Sequence, residues 1–197
     1  MSAIADRPAK DARRQEILDA AFVEFAAKGY AGASMAAIAQ RARASKETLY
    51  AWFENKETLF NTLFQSRLDG MVSRVSAVAE QDPSPANVLP VIAEDVIRFM
   101  LATAPLGEVS GKALKLVSET IRLERANFVG YLLRSREQGF ITFDDDPLEL
   151  ASLFVAMAEG EWSDRLSLGL VEELTDQMIR DHAQRVTRIF LKGIAPD

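Results

Sequence analysis

A short stretch at residues 45–57, SKETLYAWFENKE, gathers groups that could bind an anionic partner. Ser45, Lys46 and Thr48 offer hydroxyl and ammonium donors, and the three aromatic residues that follow lie within four positions of one another. Such donors form hydrogen bonds with phosphate oxygens, which makes this stretch a candidate contact surface for nucleic acid.

A helical projection separates an inner and an outer side of this stretch. With about 100° per residue, Leu49 and Phe53 fall on one side, which predicts that they face a small core. The opposite side carries Glu47 and Ala51, flanked by Thr48 and Tyr50. That side is small and polar, so it could lie flat against another molecule. The alternative is that Tyr50 and Trp52 wedge between the helices of a bundle, because aromatic residues at helical spacing usually belong to a core.

Helical signals around the stretch predict the elements that position it. A first helix ends at Gly29, and Ser34 can cap a short second helix. Ser45 can cap a third helix, and Asn55 a fourth. The predicted buried faces contain Ile17, Ala21, Phe22, Phe25, Met35, Ile38, Ala39, Ala42, Leu59, Phe60, Leu63, Phe64 and Leu68. A short helix, a turn and a second helix of this kind form a helix-turn-helix, whose second helix enters the major groove of DNA.

The rest of the chain shows the three-to-four residue periodicity of helices and no sustained alternation typical of strands. Three prolines in Gln81–Pro90 predict a break. Further amphipathic helices are predicted at residues 88–102, 112–138, 147–168 and 172–192. We therefore expect an all-α chain, with a small N-terminal unit of three helices that a fourth helix joins to a larger bundle.

Composition and charge narrow the possible partners. The chain has 197 residues, no cysteine and a net charge of −6, so thiolate chemistry is excluded and non-specific coating of nucleic acid is disfavoured. Residues 1–60 carry nine basic and eight acidic side chains, whereas the remainder carries fourteen and twenty-one. An anionic partner is therefore expected at the N-terminal third, where Arg7, Lys10, Arg13 and Arg14 cluster. The sequence has no recognisable secretory signal or membrane-spanning stretch, which predicts a cytoplasmic protein with no membrane partner.

Residues 17–63, ILDAAFVEFAAKGYAGASMAAIAQRARASKETLYAWFENKETLFNTL, closely resemble the DNA-binding domain of TetR/AcrR-family transcriptional regulators. The resemblance rests on a helix ending in Gly-Tyr, a Ser that starts the next helix, Ile-Ala, Thr-Leu-Tyr followed by an aromatic residue and Phe, and Lys-Glu-x-Leu. It implies a helix-turn-helix DNA-binding domain with a basic N-terminal arm at residues 1–54. A shared helix would join it to a ligand-binding and dimerisation bundle at residues 55–197.

The resemblance also implies which side chains touch DNA. Contacts with the DNA backbone are implied for Ser34, Ser45, Thr48, Tyr50, Trp52 and Lys56, and positions near base edges for Ala36, Lys46 and Glu47. The sequence departs from the family pattern at Arg43, which replaces the turn glycine, and at Ala44, which replaces valine. Since Arg resists positive φ, this turn should cost on the order of 1 kcal/mol or be slightly reshaped. Arg43 either adds a DNA contact or is a solvated surface residue.

The C-terminal part resembles the family less closely. Residues 139–170 are similar to the AefR-like subgroup of C-terminal domains. The small residues Ala151, Ala156, Ala158 and Gly160 would let another helix approach closely, either in the homodimer that the family implies or within the monomer. The family also implies a ligand cavity in the bundle, for which the candidate lining residues are Phe99, Met100, Leu116, Glu119, Phe128, Tyr131, Met157 and Trp162. This mixture suits a mostly hydrophobic small molecule, or these are ordinary core residues.

Catalysis is poorly supported by the sequence. The single histidine, His182, has Ile179 rather than Glu three positions before it, unlike the Glu-x-x-His pairs of di-metal carboxylate sites. It is expected to be solvated. Phosphate-binding loops and nucleophile elbows are absent, so we expect no enzyme activity, catalytic residue, metal or cofactor.

The predicted function is a ligand-responsive transcriptional repressor that binds a palindromic operator in double-stranded DNA as a homodimer. A small hydrophobic effector would release it. The alternative is a helical ligand-binding or adaptor protein without DNA binding, which the acidic net charge and the Arg43 turn motivate.

Overall fold

The computed structural model describes residues 7–103, 112–167 and 175–194. In those ranges the chain is helical, contains no strand and forms eight helices. They are α1 (Arg7–Gly32), α2 (Met35–Arg41), α3 (Lys46–Phe53), α4 (Lys56–Gln81), α5 (Pro85–Thr103), α6 (Lys112–Glu137), α7 (Pro147–Ser167) and α8 (Asp176–Ile194). The predicted all-α class is therefore confirmed. None of the helices described is both long enough and apolar enough to cross a membrane.

The chain divides into two compact units. The described residues of the first unit fall within 1–67 and 102–117, and those of the second within 68–101 and 118–197. Helix α4 contributes residues to both units. The domain boundary at residues 54 and 55 stays a prediction, as does the basic arm, of which the residues from Arg7 onward are part of α1.

Three helices begin with the side-chain caps that the sequence predicts. Each cap satisfies a backbone amide that the first turn of a helix leaves without a partner. In α2, Ser34 Oγ accepts the amide of Ala37 at 3.2 Å. In α3, Ser45 Oγ accepts the amide of Thr48 at 3.0 Å. In α4, Asn55 Oδ1 accepts the amide of Thr58 at 2.9 Å.

Helix α1 is interrupted at Gly29, where φ is 67° and ψ is 170°. The φ is positive, as is common for a glycine at the end of a helix, although ψ is extended rather than left-handed helical. The chain continues to Gly32, and the amide of Ala33 donates to the carbonyl oxygen of Gly29 at 3.2 Å. A residue with a Cβ atom would be strained at this φ, which explains the glycine.

The break at the prolines is shorter than the sequence predicts. Only residues 82–84 separate α4 from α5, and Pro90 lies inside α5. Pro85 can begin the helix because the first helical position needs no amide hydrogen. The carbonyl oxygen of Ser84 accepts the amide of Val88 at 3.1 Å, so the helix is already formed before Val88. The prediction that the break extends to Pro90 is therefore wrong.

An aromatic cluster forms part of the core of the first unit. The ring of Phe60 lies edge-on to Phe25, with centroids 5.2 Å apart, and edge-on to Tyr30, with centroids 5.0 Å apart. Leu49 and Phe53 of α3 are completely buried in the same unit. The predicted inner side of α3 is therefore confirmed.

The second unit has its own core, centred on Phe154 of α7. Its ring centroid lies 5.3 Å from that of Phe128 and 5.0 Å from that of Phe190. The surrounding buried residues include Val88, Leu89, Leu132, Ile141, Leu150, Ala183 and Val186. Helices α5, α6, α7 and α8 thus share one apolar interior.

Candidate nucleic-acid interface

The outer face of α3 is exposed and polar. The exposed side chains of this helix and its cap are Ser45, Lys46, Glu47, Tyr50 and Ala51. Thr48 and Trp52 are half-buried, and the Trp52 ring packs edge-on against Phe53 with centroids 6.4 Å apart. Trp52 therefore contributes to packing, while the residues beside it leave a face of modest size that another molecule could approach.

The first turn of α3 is ordered by Ser45. Its oxygen accepts the amide of Thr48 at 3.0 Å and lies 3.0 Å from the hydroxyl oxygen of Thr48. The side chain of Glu47 accepts its own backbone amide and a hydrogen bond from Ser45, and these bonds hold the pKa of its carboxyl below the ordinary value. Glu47 is therefore an anion at neutral pH, which disfavours phosphate and favours an amino group such as that of cytosine.

Helix α2 is attached to α1 through a buried carboxylate. Glu24 is 2% exposed, pairs with Lys28 at 2.7 Å and lies 3.4 Å from the guanidinium of Arg41 at the end of α2. The hydrogen bond from Lys28 is the largest contribution that lowers the pKa of Glu24. Because a buried carboxylate needs such partners, the Arg41 contact helps to fix α2, at whose start Ser34 and Ala36 are exposed.

The turn between α2 and α3 contains Arg43 with φ of 50°. The side chain of Arg43 is exposed, and the amide of Ala44 donates to the carbonyl oxygen of Ala39 at 2.9 Å. Arg13 of α1 donates from Nη2 to the carbonyl oxygens of Ala42 and Arg43, both at 2.9 Å. The backbone conformation that the sequence marks as unfavourable for Arg is adopted, and a second arginine bonds to it.

Lys56 occupies a different environment from the other predicted DNA contacts. Its ammonium donates to the carbonyl oxygens of Tyr30 at 2.8 Å, Ala33 at 3.0 Å and Ala31 at 3.4 Å. These carbonyls lie at the end of α1 and just after it. A phosphate contact by Lys56 would have to compete with them, so its predicted role at DNA stays a prediction.

The family profile described as "Bacterial regulatory proteins, tetR family" matches residues 17–63, which include α2, α3 and the caps described above. These residues are a TetR-family N-terminal domain. The match coincides with the region whose resemblance to this family the sequence predicts.

Two curated transcriptional regulators match part of the chain. The HTH-type transcriptional repressor SCO4008 of Streptomyces coelicolor is 40% identical over 58 residues, which are 29% of this chain and 30% of that protein. The HTH-type transcriptional activator FasR of Mycolicibacterium smegmatis is 40% identical over 70 residues, or 36% of this chain and 32% of that protein. The chain thus spans about a third of the length of the curated relatives that it matches.

A similarity in fold extends beyond the TetR-family domain. The solved structure of the Flavonoid-responsive Regulator FrrA is 26% identical to this chain, with a TM-score of 0.62, and the comparison covers 94% of this chain and 98% of that one. The second unit therefore has a counterpart in a solved regulator, whereas the family profile matches residues 17–63.

Five of the eight predicted ligand-binding residues belong to two apolar clusters. Phe128 and Tyr131 belong to the core around Phe154, with Met157 packed against it. The Tyr131 hydroxyl donates to the carbonyl oxygen of Pro83 at 2.9 Å, and burial raises the pKa of this phenol. Its polar group therefore already has a protein partner.

The second group surrounds Trp162, which is 4% exposed. Trp162 packs with Ile97 and Ile179, and Met100 lies against them. Phe99 is half-buried. The side chains of Leu116 and Glu119 lie outside the part of the chain that the structure describes. The predicted role of all eight residues in ligand binding stays a prediction.

His182 is not the solvated residue that the sequence predicts. It is half-buried, and its Nε2 lies 3.1 Å from the carbonyl oxygen of Ala158 and 3.3 Å from that of Met157. Both neighbours are acceptors, so Nε2 carries the hydrogen and donates. The His182 ring also packs edge-on against the Trp162 ring, with centroids 5.7 Å apart. Among the described residues, no three His, Cys, Asp or Glu side chains gather where they could hold a metal ion.

Sequence reasoning missed the internal roles of two basic residues. Arg13 bonds to the turn before α3, and Lys56 bonds to the end of α1, although both belong to the basic groups that the sequence associates with DNA. The sequence contains no signal for these internal hydrogen bonds. A lysine or arginine that binds carbonyl oxygens of the protein cannot be distinguished by residue type or spacing from one that binds phosphate.

Proposed function

We propose that this protein is a ligand-responsive transcriptional regulator that binds a roughly palindromic operator in double-stranded DNA as a homodimer. It acts as a repressor, in the cytoplasm, and a small hydrophobic molecule releases it. The observation that carries the proposal is the exposed polar face of α3 within a TetR-family domain, with Leu49 and Phe53 completely buried behind it.

The proposed contacts divide the interface into residues that position the protein and residues that read sequence. Hydroxyl groups and the helix N-termini capped by Ser34 and Ser45 favour phosphate oxygens. Lys46 and Glu47, in the first turn of α3, suit guanine and cytosine edges, respectively. Arg43 is exposed and close in sequence to this turn, so it supplies a further phosphate contact.

A homodimer is supported by apolar side chains that the second unit leaves exposed. Of the four small residues that the sequence singles out in α7, Ala151 and Ala158 are completely buried within the monomer, whereas Ala156 and Gly160 are exposed. Leu153 of α7 is 53% exposed, and so is Ile189 of α8. Two helices with exposed small and aliphatic residues are suited to packing against their counterparts in a second copy.

The dimer proposal has a matched test. Ile189→Glu should convert the dimer to a monomer in sedimentation experiments, because it introduces a charge into the proposed contact. Leu148→Glu is the control, since Leu148 is 52% exposed but lies about 140° around α7 from Leu153 at 100° per residue. Equal behaviour of the two variants would contradict an interface at this face.

The effector proposal rests on two further observations. FrrA is named as flavonoid-responsive, and the eight candidate residues of this chain are mostly apolar with few polar groups, as suits a hydrophobic ligand. Helix α4 runs without interruption from Lys56 to Gln81 and has residues in both units. We propose that a ligand which displaces the C-terminal part of α4 changes the spacing between the two α3 helices of the dimer. This change would weaken operator binding.

DNA binding is tested with gel shifts against genomic fragments at low and moderate salt, followed by footprinting. We expect a protected site with dyad symmetry, with half-sites about 34 Å apart or slightly more. Ala51→Trp should abolish binding because a large side chain would hold α3 away from the groove. Ala27→Trp is the control, since Ala27 is also exposed but lies on α1. Absence of any shift at low salt would favour the adaptor alternative.

The direction of regulation needs a separate measurement, since the curated relatives include both a repressor and an activator. A reporter placed behind the footprinted operator should be expressed at a lower level when the protein is present. Increased expression would contradict the repressor role while leaving the DNA-binding proposal intact.

A further inference from the structure

The turn that precedes α3 is bonded to Arg13 of α1. Arg43 has a positive φ of 50°, a conformation that is unfavourable for residues with a Cβ atom. Two consecutive carbonyl oxygens of this turn, those of Ala42 and Arg43, accept hydrogen bonds of 2.9 Å from Nη2 of Arg13. The turn that the sequence marks as strained is therefore the turn to which Arg13 bonds.

Arg13 is itself held in place. Its Nη1 pairs with the carboxylate of Glu16, one turn further along α1, so the guanidinium is fixed by an anion on one side and by two carbonyls on the other. Hydrogen bonds from a charged donor are stronger than those between neutral groups. Arginine suits this position because its planar fork can serve several acceptors at once.

We infer that Arg13 is a positioning residue for DNA binding, which clamps the turn between α2 and α3 and so fixes the orientation of α3. The inference rests on the proposed DNA-binding function, but it gives Arg13 a role different from that of a phosphate contact. Nη2 of Arg13 donates to carbonyl oxygens of the protein. The clamp compensates for the arginine at position 43, so the two arginines are energetically coupled.

The coupling is tested with a double-mutant cycle of Arg13→Ala and Arg43→Gly. Glycine adopts positive φ without strain, so the turn should depend less on the clamp in the Arg43→Gly background. Arg67→Ala is the control: Arg67 also pairs with an α1 residue, Asp19, at 3.7 Å, and its loss removes the same charge from the same unit away from the turn.

The first readout needs no DNA. The amide of Ala44 donates to Ala39 within the turn, and its hydrogen exchange reports whether the turn opens. We expect Arg13→Ala to speed this exchange at least about tenfold, as expected for the loss of hydrogen bonds to a charged group, and Arg43→Gly to reduce that effect. Unchanged exchange would overturn the clamp, whatever the DNA-binding result.

The second readout is operator affinity as a function of salt. Arg13→Ala should weaken binding about tenfold without changing the salt slope, and the loss should be smaller in the Arg43→Gly background. A slope that falls by about one, with an undiminished loss, would identify a phosphate contact instead. An equal loss in Arg67→Ala would reduce the role of Arg13 to general stability. If the parent protein binds no operator, the proposed function fails, while the exchange experiment still tests the clamp.

Discussion

The ammonium of Lys56 lies 4.6 Å from the centre of the Tyr30 ring and donates to the carbonyl oxygen of the same residue at 2.8 Å. Two more carbonyl oxygens, of Ala31 and Ala33, complete the hydrogen-bonding capacity of the ammonium, which has three donors. Lys56 begins α4, so this contact joins the start of α4 to the end of α1.

Lys56→Met should therefore destabilise the protein. The variant keeps much of the apolar stem over Tyr30 but removes the charged donors, and we expect the free energy of unfolding to fall by about 1 to 3 kcal/mol. Chemical denaturation measures this loss. The same variant tests the sequence-based DNA contact, because a direct phosphate contact would lower the salt slope of operator binding by about one. An unchanged slope would remove Lys56 from the interface.

Lys46 and Tyr50 should affect operator binding in different ways. Lys46→Ala should relax the preference at one base position by about 1 to 3 kcal/mol if Lys46 reads guanine. Tyr50→Phe should weaken binding to all operator variants to a similar extent, because a phosphate contact carries no sequence information. Affinity measured over a set of single-base operator variants distinguishes the two. An unchanged ranking of operators with Lys46→Ala would contradict base readout by this residue.

Asp95 should make stability depend on pH. It is 2% exposed and pairs with Arg74 at 2.7 Å, yet burial outweighs this attraction and raises the pKa of its carboxyl to about 6. The folded protein therefore binds this proton more tightly than the unfolded chain, so the contribution of Asp95 to stability is lost as pH rises from about 4 to 6.

Asp95→Asn should remove this dependence. We expect the variant to be more stable than the parent at pH 8, by up to about 3 kcal/mol on the scale of 1.36 kcal/mol per pKa unit, and equal to it near pH 4. Asp176→Asn is the control, because hydrogen bonding to Arg98 lowers the pKa of Asp176 and its loss should destabilise the protein slightly at neutral pH. Thermal denaturation at both pH values measures each difference. A larger gain in stability for Asp95→Asn at pH 4 than at pH 8 would contradict the raised pKa of Asp95.

An effector that releases the operator should bind reciprocally. If the ligand weakens operator binding by a given factor, saturating operator must weaken ligand binding by the same factor. Calorimetric titration of a candidate hydrophobic effector, with and without operator, measures both affinities. Equal ligand affinity in the two titrations would exclude coupling for that compound.

The sequence predicts the features that depend on local periodicity and capping. Leu49 and Phe53 are buried because they lie one turn apart on a helix whose outer face is polar, and Ser34, Ser45 and Asn55 cap helices because short polar side chains satisfy free amides. Turn composition was a weaker guide, since Pro90 is accommodated within α5. A proline breaks a helix only where its missing amide and its ring are not tolerated.

The features that the sequence does not predict depend on contacts between distant segments. Nothing near Arg13 in the chain indicates that it bonds to carbonyl oxygens some thirty residues later. His182 is similarly surrounded by charged residues in the sequence, yet tertiary packing brings it to α7. Neither contact could be derived before the packing of the helices was known.

Gly160 interrupts α7 with φ of 40° and ψ of −134°, and the His182 ring of α8 lies 3.6 Å from where a Cβ atom would stand. The imidazole donates to main-chain oxygens just before this interruption. The packing of α7 therefore depends on α8. A chimeric protein that receives α7 alone should fold poorly, unless the helix packed against α7 also places a hydrogen-bond donor near the carbonyl oxygens of Met157 and Ala158. Recombination between related regulators is expected to keep these two helices together.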